Sequence, residues 1–344
     1  MKLLGIESTA HTASVGVVDE AARVVGVATD MYRPPQGGIH PREAANHHAE
    51  VFPELLERAL SASGVDVSEL SGVAYSQGPG LGPCLRAGAT VARTLAQAWE
   101  KPLLPVNHCV AHLEIARVMS GFEDPVLLYA SGGNTQVIAY AHGRYRVLGE
   151  TLDVGVGNFL DKLALGAGAS FPGGPEIERW ALAGEPREPL PYSVHGMDVS
   201  FSGMLTAARA LLARGVRRED VAASVEATAY SMLCEVAERA LAHLGRRELV
   251  LGGGVACNQH LRRMVEGMGE ARGIRVYAPP PSLCVDNGAM IAWTGGLVQA
   301  SSGPVPLRES RVDPRQRTDQ VGAPWRLRGG PSGALPARGG APNA

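Results

Sequence analysis

Two histidines at helical spacing are the residues of this sequence best placed to do chemistry. His108 and His112 lie four residues apart in a segment with a helical pattern. Their imidazoles therefore share one face of the helix and can bind one metal ion. The spacing alone leaves a second interpretation open, in which both side chains face water or form local hydrogen bonds.

The residue after the first histidine argues against a peptidase. Zinc peptidases with two histidines at this spacing carry a glutamate beside the first one, and that glutamate is the general base. Cys109 occupies this place here. The sequence therefore lacks the base that this class of enzyme needs.

Three glycine-rich turns indicate a nucleotide site. Residues 129–134 (YASGGN) join two predicted strands, 252–254 (GGG) follow a strand, and 173–175 (GGP) precede a helix that carries Glu178. Such turns expose backbone N–H groups that bind phosphate or carboxylate, and a helix N-terminus favours an anion. Together the turns predict a nucleotide site in the second half of the chain.

Two acids stand alone in apolar surroundings, and each has two interpretations. Asp161 is expected at a helix start, where it would also complement the helix dipole. Asp286 precedes the last predicted helix, where it would also serve as the N-cap. Each acid can instead belong to a functional site.

A second histidine cluster comprises His40, His47 and His48. No carboxylate or cysteine at ligand spacing completes a metal site there. We therefore expect a solvated or substrate-facing helix flank.

Composition limits the class of protein. The 344 residues are 45% hydrophobic, which is enough for a large core and two domains. The net charge of −2 does not indicate a nucleic-acid partner, so any RNA contact must be a local patch or be shared with another subunit. The five cysteines form no CxxC pair, which fits a reducing cytoplasm. No segment approaches the roughly 18 apolar residues of a membrane helix.

The order of predicted elements repeats once along the chain. Three strands within the first thirty residues are followed by a helix at 42–62, a strand at 72–75, a helix to 99, a strand at 103–106 and a helix at 108–119. The second half has strands at 125–130, 135–140, 145–149, 249–251 and 274–277, and helices at 258–269 and from about 286. Two β-β-β-α-β-α halves predict α/β layers with a site in the cleft between them.

This repeat also predicts the domains. We expect one domain over residues 1–124 and a second over 125–328, with the last helix packing back on the first. The tail over 329–344 is rich in glycine and proline, so we expect it to be disordered.

Nine collinear segments carry a resemblance to a known family. They are HPREAANHH (40–48), SQGPGLGPCLRAG (76–88), NHCVAHLE (107–114), YASGGNTQ (129–136), GETLDVGVGNFLDKLA (149–164), FPGGPEIE (171–178), SFSGMLTA (200–207), LGGGVACN (251–258) and DNGAMIAWTG (286–295). Together they closely resemble the tRNA threonylcarbamoyl transferase family, once labelled O-sialoglycoprotein endopeptidases. HPREAANHH is similar to the archaeal and eukaryotic branch, the catalytic subunit of the KEOPS complex. The resemblance covers about residues 2–328 and implies a duplicated actin/Hsp70/sugar-kinase-type fold.

The resemblance implies an N6-L-threonylcarbamoyladenine synthase. Such an enzyme transfers the threonylcarbamoyl group of threonylcarbamoyl-adenylate to the N6 amine of the tRNA adenosine 3′ of the anticodon, and AMP leaves. The implied partners are tRNA and two KEOPS chains, a separate kinase-like subunit and a small dimerising subunit. The implied location is the cytoplasm, without a membrane contact.

The resemblance also implies roles for individual residues. The implied metal ligands are His108, His112, Tyr129 and Asp286. The implied adenylate pocket comprises Tyr129, Ala130, Ser131, Gly132, Gly133, Asp161, Gly174, Glu178 and Asn258. One metal ion per subunit is expected, with iron first and zinc as the alternative, because this ligand set suits both.

Two other functions compete with this one. An ATP-dependent small-molecule kinase or ATPase of the same fold would use the same glycine turns with Mg²⁺ and would need no histidine pair. A non-catalytic scaffold subunit is the third hypothesis. No residue is assigned as the base that removes the amine proton.

Overall fold

A computed structural model describes residues 1–35 and 37–327. The predicted disorder of residues 329–344 falls outside this part of the chain.

The first half of the chain alternates strands and helices after an initial three-stranded meander. Its elements are β1 Lys2–Glu7, β2 Thr12–Val18, β3 Val24–Met31, α1 Pro41–Ser63, β4 Leu70–Gly78, α2 Gly82–Ala98, β5 Leu103–Asn107 and α3 His108–Ser120. Helix α1 begins at a proline, whose fixed φ suits a first helical turn, and is followed by Gly64 with a φ of 61°.

The second half starts with the same meander and adds more helices. Its elements are β6 Val126–Ala130, β7 Thr135–Ala141, β8 Arg144–Glu150, α4 Val156–Gly166, α5 Gly174–Ala181, β9 Val194–His195, β10 Asp198–Val199, α6 Ser202–Ala213, α7 Arg218–Leu244, β11 Glu248–Gly252, α8 Gln259–Arg272, β12 Arg275–Tyr277, α9 Pro281–Cys284, α10 Gly288–Ser301 and α11 Pro324–Leu327. Short 3₁₀ turns lie at Val67–Glu69, Gly254–Cys257, Leu307–Glu309 and Thr318–Gln320.

Each half builds a five-stranded sheet of the same topology. The strand order is β3-β2-β1-β4-β5 in the first sheet and β8-β7-β6-β11-β12 in the second. In both sheets the first strand of the half pairs antiparallel with the second strand and parallel with the fourth. The predicted α/β duplication is therefore confirmed. The domain division at residue 124 stays a prediction.

The two sheets enclose a central helical layer. One core cluster lies between the first sheet and helices α1 and α2, and another lies between the second sheet and helices α4 to α8. A third cluster joins both sheets through α3 and α10, with Leu104 on one sheet, Val250 on the other and Trp293 between them. Helix α3 therefore lies in the middle of the molecule, and its histidines are buried.

Helix α10 lies against β1 and β2 with backbone touching backbone. A Cβ atom on Gly5 would lie 2.2 Å from the nitrogen of Ala292, and one on Gly16 would lie 2.3 Å from the nitrogen of Ala289. A Cβ atom on Gly288 would lie 2.3 Å from the nitrogen of Gly16. Only glycine fits at these three positions, because any side chain would push the helix off the sheet.

Residues 303–327, which we call the C-terminal strap, cross from the first sheet to the second. The Val305 N–H donates to Leu103 and the Asp313 N–H donates to Gln77, at 3.0 and 2.8 Å. Further on, Gly322 forms a bridge with Arg144 on β8. The Trp325 indole N–H then donates to the buried Glu114 carboxylate at 3.1 Å.

The short elements and the strap, none of which the sequence predicted, lack a long periodic pattern. They are the two-residue strands β9 and β10, the four-residue helices α9 and α11, and the strap. Their positions depend on hydrogen bonds to distant backbone, which local periodicity does not report. No helix within residues 1–35 and 37–327 is long and apolar enough to cross a membrane.

A substitution on β2 tests the close contact of α10. We expect Gly16→Ala to lower the free energy of unfolding by about 1–3 kcal/mol, the usual cost of overpacking a core. The new methyl group would meet backbone that cannot rotate away. Chemical denaturation measures the change. Gly203→Ala on α6 is the matched control, since a Cβ atom there meets nothing within 4 Å. Equal stability of the two variants would contradict the packing argument.

Candidate metal centre and donor cleft

The histidine pair lies at the start of α3, directly after β5. The Asn107 side chain caps the helix by accepting the Val110 N–H at 3.0 Å. This cap fixes the first turn, from which His108 and His112 extend in the same direction. Their ring centroids are 4.8 Å apart, and both side chains are buried.

Asp286 reaches this pair from the other end of the sequence. Its Oδ1 lies 3.2 Å from His112 Nε2 and 3.4 Å from His108 Nε2. One donor atom from each of the three residues lies within 4.8 Å of the others. Within the described part of the chain, these three form the one His/Cys/Asp/Glu group arranged to hold a metal ion.

The alternative role of Asp286 as a helix cap is wrong. The neighbouring Asn287 caps α10 instead, with its side-chain oxygen accepting the Met290 N–H at 2.9 Å. The carboxylate of Asp286 is therefore free to face the histidines.

Tyr129 is the fourth predicted ligand and lies at the end of β6. Its Oη is 2.9 Å from His108 Nε2, and its ring packs at 4.8 Å from the ring of His112. The residue is buried, and burial raises the pKa of its phenol above the ordinary value. The structure therefore brings all four predicted ligands together, while their binding of a metal stays a prediction.

Glu7 is a residue of this centre that the sequence analysis missed. Its Oε2 lies 2.9 Å from His108 Nδ1, and its Oε1 accepts the hydroxyl of Thr9 at 2.6 Å. A carboxylate accepts hydrogen bonds, so His108 donates to Glu7 through Nδ1, and Nε2 is the ring nitrogen that faces the cluster. The available signal was a buried acid at the end of an apolar strand.

The surroundings shift the pKa values of the two histidines in opposite directions. Burial lowers the pKa of His108, but Tyr129, Glu7 and Asp286 together raise it well above the ordinary value. Burial lowers the pKa of His112, and this effect outweighs the opposite effect of Asp286. Burial raises the pKa of Asp286, yet His108 and His112 hold it well below its usual range. The centre therefore holds a charged carboxylate beside imidazole nitrogens.

The glycine turn after β6 packs tightly on α4. The N–H groups of Gly157 and Asn158 donate to the carbonyls of Ser131 and Gly132, both at 3.0 Å. A Cβ atom on Gly157 would lie 2.8 Å from the Cα of Gly132. Within the described residues, the N–H groups of Gly132 and Gly133 have no hydrogen-bond acceptor. They remain available to a ligand.

Asp161 does not lie at a helix start, so this expectation is wrong. It is the sixth residue of α4, which begins at Val156 because Gly155 provides the extended residue before it. Its Oδ1 accepts the Gly173 N–H at 2.7 Å, which joins α4 to the turn before α5. Its other carboxylate oxygen can face the cleft.

Glu178 and Asn258 are held by the start of α8. Glu178 Oε1 accepts the Gln259 N–H at 2.8 Å. Asn258 Oδ1 accepts the N–H groups of His260 and Leu261, and its Nδ2 donates to the buried Glu226 at 2.6 Å. Asn258 therefore has a single N–H left for a ligand.

Most predicted adenylate residues line one continuous cleft. A cavity of about 290 Å³ contains Ser131, Gly132, Asp161, Gly174, Glu178, Asn258 and Asp286. It shares Asp161 and Asp286 with a cavity of about 520 Å³ that contains His108, Tyr129, Ser131, Gly132 and Gly133. Ala130 is buried at the end of β6 and lines neither cavity. His11 and Phe171 line both and were missed.

In the second histidine cluster His40 is exposed, as expected for a solvated helix flank, but His48 is not. His48 is completely buried, and its Nε2 donates to the carbonyl of Ala10 at 3.1 Å. Burial lowers its pKa to about 4, so it is neutral near pH 7. His47 lies 2.8 Å from Asp30. His48 thus supports the loop that carries His11.

Comparison with known proteins identifies the family of this chain. The sequence profile of TsaD, tRNA N6-adenosine threonylcarbamoyltransferase, matches residues 24–293. A protein of that name from Methanopyrus kandleri is 54% identical over 338 residues, which are 95% of this chain and 97% of the relative. This chain belongs to the tRNA N6-adenosine threonylcarbamoyltransferase family. The predicted transfer to tRNA adenosine is confirmed, and the kinase alternative is not supported.

Other relatives agree with this family, and solved structures agree with the fold. The Archaeoglobus fulgidus transferase is 53% identical over 94% of this chain and 100% of its own length. A probable bifunctional tRNA threonylcarbamoyladenosine biosynthesis protein of Methanothermobacter thermautotrophicus is 51% identical, and this chain spans 61% of it. T. kodakarensis HypF superposes with a TM-score of 0.61 at 14% identity, over 86% of this chain and 47% of HypF. The Clostridium difficile 2-hydroxyisocaproyl-CoA dehydratase activator with bound ADPNP superposes with a TM-score of 0.51 at 13% identity. The superposition covers 86% of this chain and 94% of the activator.

A histidine substitution tests the metal centre. We expect His112→Ala to lose the metal ion and most transfer activity while the protein stays folded, because the metal centre borders a cleft, which His108, Tyr129 and Asp286 line. Metal content by mass spectrometry and thermal unfolding measure the two effects. His48→Gln is the control, since His48 is also buried but lies outside the cluster. Full metal content in His112→Ala would contradict the ligand assignment.

Proposed function

We propose that the threonylcarbamoyl donor of this transferase is threonylcarbamoyl-adenylate. The observation that carries the proposal is the continuity of two cavities. The one with Glu178 and Asn258 has room for a nucleotide, and it meets the metal centre at Asp161 and Asp286. A donor that spans both would place its adenylate in the first cavity and its carbamoyl group beside the centre.

The donor set of the centre fits a metal ion. Two imidazoles, a carboxylate and a phenol are ligands of borderline character, and Glu7 directs His108 Nε2 towards the cluster. We propose iron as the ion, with zinc as the alternative. A bound ion would supply Lewis acidity and orientation for the carbamoyl carbonyl or the phosphate. His108, His112, Tyr129 and Asp286 would hold it.

The surrounding residues would orient the donor. The free N–H groups of Gly132 and Gly133 are suited to a phosphate or to negative charge that develops on the carbonyl oxygen. Asp161 and Glu178 each use one carboxylate oxygen within the protein and keep the other for a ribose hydroxyl. The remaining N–H of Asn258 would contact the nucleotide.

The transfer would proceed as an acyl substitution. The N6 nitrogen of the adenosine 3′ of the anticodon forms a bond to the carbamoyl carbon. The bond from that carbon to the phosphate oxygen breaks, and AMP leaves with the electron pair. The N6 nitrogen releases one proton in the step, and this proton passes to solvent water. We propose that this occurs in the cytoplasm with a kinase-like subunit and a small dimerising subunit of the KEOPS complex as partners.

A substitution at Glu178 tests the adenylate cavity. We expect Glu178→Ala to weaken the binding of a nonreactive adenylate analogue by about 1.5–3 kcal/mol, the usual worth of a hydrogen bond to a charged group. Isothermal titration calorimetry measures the affinity. Glu176→Ala is the control, because Glu176 lies on the same helix but pairs with Arg179 and lines no cavity described here. Unchanged affinity in Glu178→Ala would refute the ribose contact.

A further inference from the structure

A third cavity opens from the cleft on the side of the C-terminal strap. It measures about 230 Å³, and its lining includes Asn134, Gln136, Arg315, Gln316 and Arg317. We call it the strap groove. It shares Pro79, Asn134 and Pro314 with the cavity at the metal centre. It shares no lining residue with the cavity of Glu178 and Asn258.

One lining residue of the strap groove, Gln136, has a buried hydrogen-bond acceptor without a donor. Gln136 Nε2 donates to Glu150 at 3.1 Å, which fixes the orientation of the amide. The Gln136 Oε1 is buried and has no hydrogen-bond partner among the described residues. A buried polar atom of this kind is costly unless a ligand satisfies it. An amino group of a nucleobase is a ligand of the required chemistry.

The rim of the groove offers unpaired positive charge. Arg315 and Arg86 are exposed, and neither forms an ion pair within residues 1–35 and 37–327. The Arg86 Nη1 and a carbon of Pro314 both lie 3.4 Å from the position of a Cβ atom on Gly82, so Arg86 lies beside the residue that precedes Arg315. Arg317 pairs with Asp319 at 3.1 Å, and Glu150 lies nearby, so those charges are offset.

The strap holds these groups at a fixed distance from the metal centre. Gln316 Nε2 donates to Gln77 at 2.8 Å, and its Oε1 accepts from Asn107 at 3.1 Å. Asn107 directly precedes His108. The Asp313 carboxylate accepts the Arg315 N–H at 3.0 Å and shapes the turn at the rim. The groove and the centre are therefore parts of one rigid arrangement.

We propose that the strap groove binds the acceptor RNA next to the adenosine that is modified. Phosphates of the strand contact Arg86 and Arg315, and a neighbouring base donates an amino hydrogen to Gln136. RNA fits better than a protein segment, because guanidinium and amide side chains make up half of the lining residues. The proposal rests on the tRNA transferase function and adds the place where the acceptor enters, apart from the donor nucleotide.

The test measures RNA binding without donor, so it is independent of the donor proposal. The probe is an RNA hairpin that carries an anticodon loop with the target adenosine, titrated with the full-length chain by fluorescence anisotropy at several salt concentrations. We expect Arg315→Glu and Arg86→Glu to weaken hairpin binding several-fold. The slope of log affinity against log salt should become shallower by about 0.7–1 per lost phosphate contact.

Matched variants separate the parts of the proposal. Arg308→Glu is the control for charge, because Arg308 lies on the strap, is exposed and lines none of the three cavities. Gln136→Leu should weaken hairpin binding with an unchanged salt slope, since it removes a base contact and no charge. Gln299→Leu is its control, because the Gln299 Oε1 is also buried and unpaired but lies on α10.

The outcomes are distinct. Hairpin affinity equal to the wild type in both arginine variants overturns the proposal. The proposal is also overturned if these variants bind the hairpin normally but lose a protein subunit from the complex. That result would make the groove a protein interface. Failure of the donor proposal would be seen in a different measurement, in which the wild-type chain binds the hairpin but not the adenylate analogue.

Discussion

The contact of α10 with β1 and β2 is the constraint on which the site depends. Gly5, Gly16 and Gly288 let helix and sheet approach until their backbones touch. Asp286 lies two residues before Gly288, so this contact fixes where its carboxylate lies. Without it, 174 residues of sequence separation would leave Asp286 with no reason to face His112.

The duplicated sheets supply the rest of the centre from the ends of three strands. Glu7 ends β1, His108 follows β5, and Tyr129 lies near the end of β6. In open α/β sheets the carboxyl ends of strands border the ligand crevice. The repeat of one topology therefore brings two such edges to one cleft, and the glycine turn after β6 joins the metal centre to the nucleotide cavity.

The sequence predicts those parts of the structure that local spacing determines. The meanders follow from buried strands between turns, and the histidine pair follows from helix geometry. Asp286 as a ligand came from the resemblance, because nothing near it in the chain indicates its partners. Its expected role as an N-cap was wrong because Asn287 is an equally good cap by residue type. Local sequence does not decide between the two, and in the structure the side chain of Asn287 caps the helix.

Other features were missed because they depend on tertiary contacts. In the sequence, Glu7 is only the last residue of a predicted strand. It is a partner of His108 because α3 packs against the end of β1. His48 lies on a helix with polar neighbours, yet the loop at Ala10 covers it. The strap has no periodicity, and its path follows from hydrogen bonds to Leu103 and Gln77. Each case requires knowledge of which distant segment packs there.

X-ray absorption of the chain loaded with one equivalent of Zn²⁺ tests the central claim most directly, because it reports the ligands of the bound ion. The account predicts nitrogen and oxygen neighbours at about 2.0–2.2 Å, with the scattering pattern of two imidazoles. It also predicts that Asp286→Ala loses an oxygen neighbour or the ion itself. A sulfur neighbour at about 2.3 Å, or an Asp286→Ala spectrum identical to that of the wild type, would contradict it.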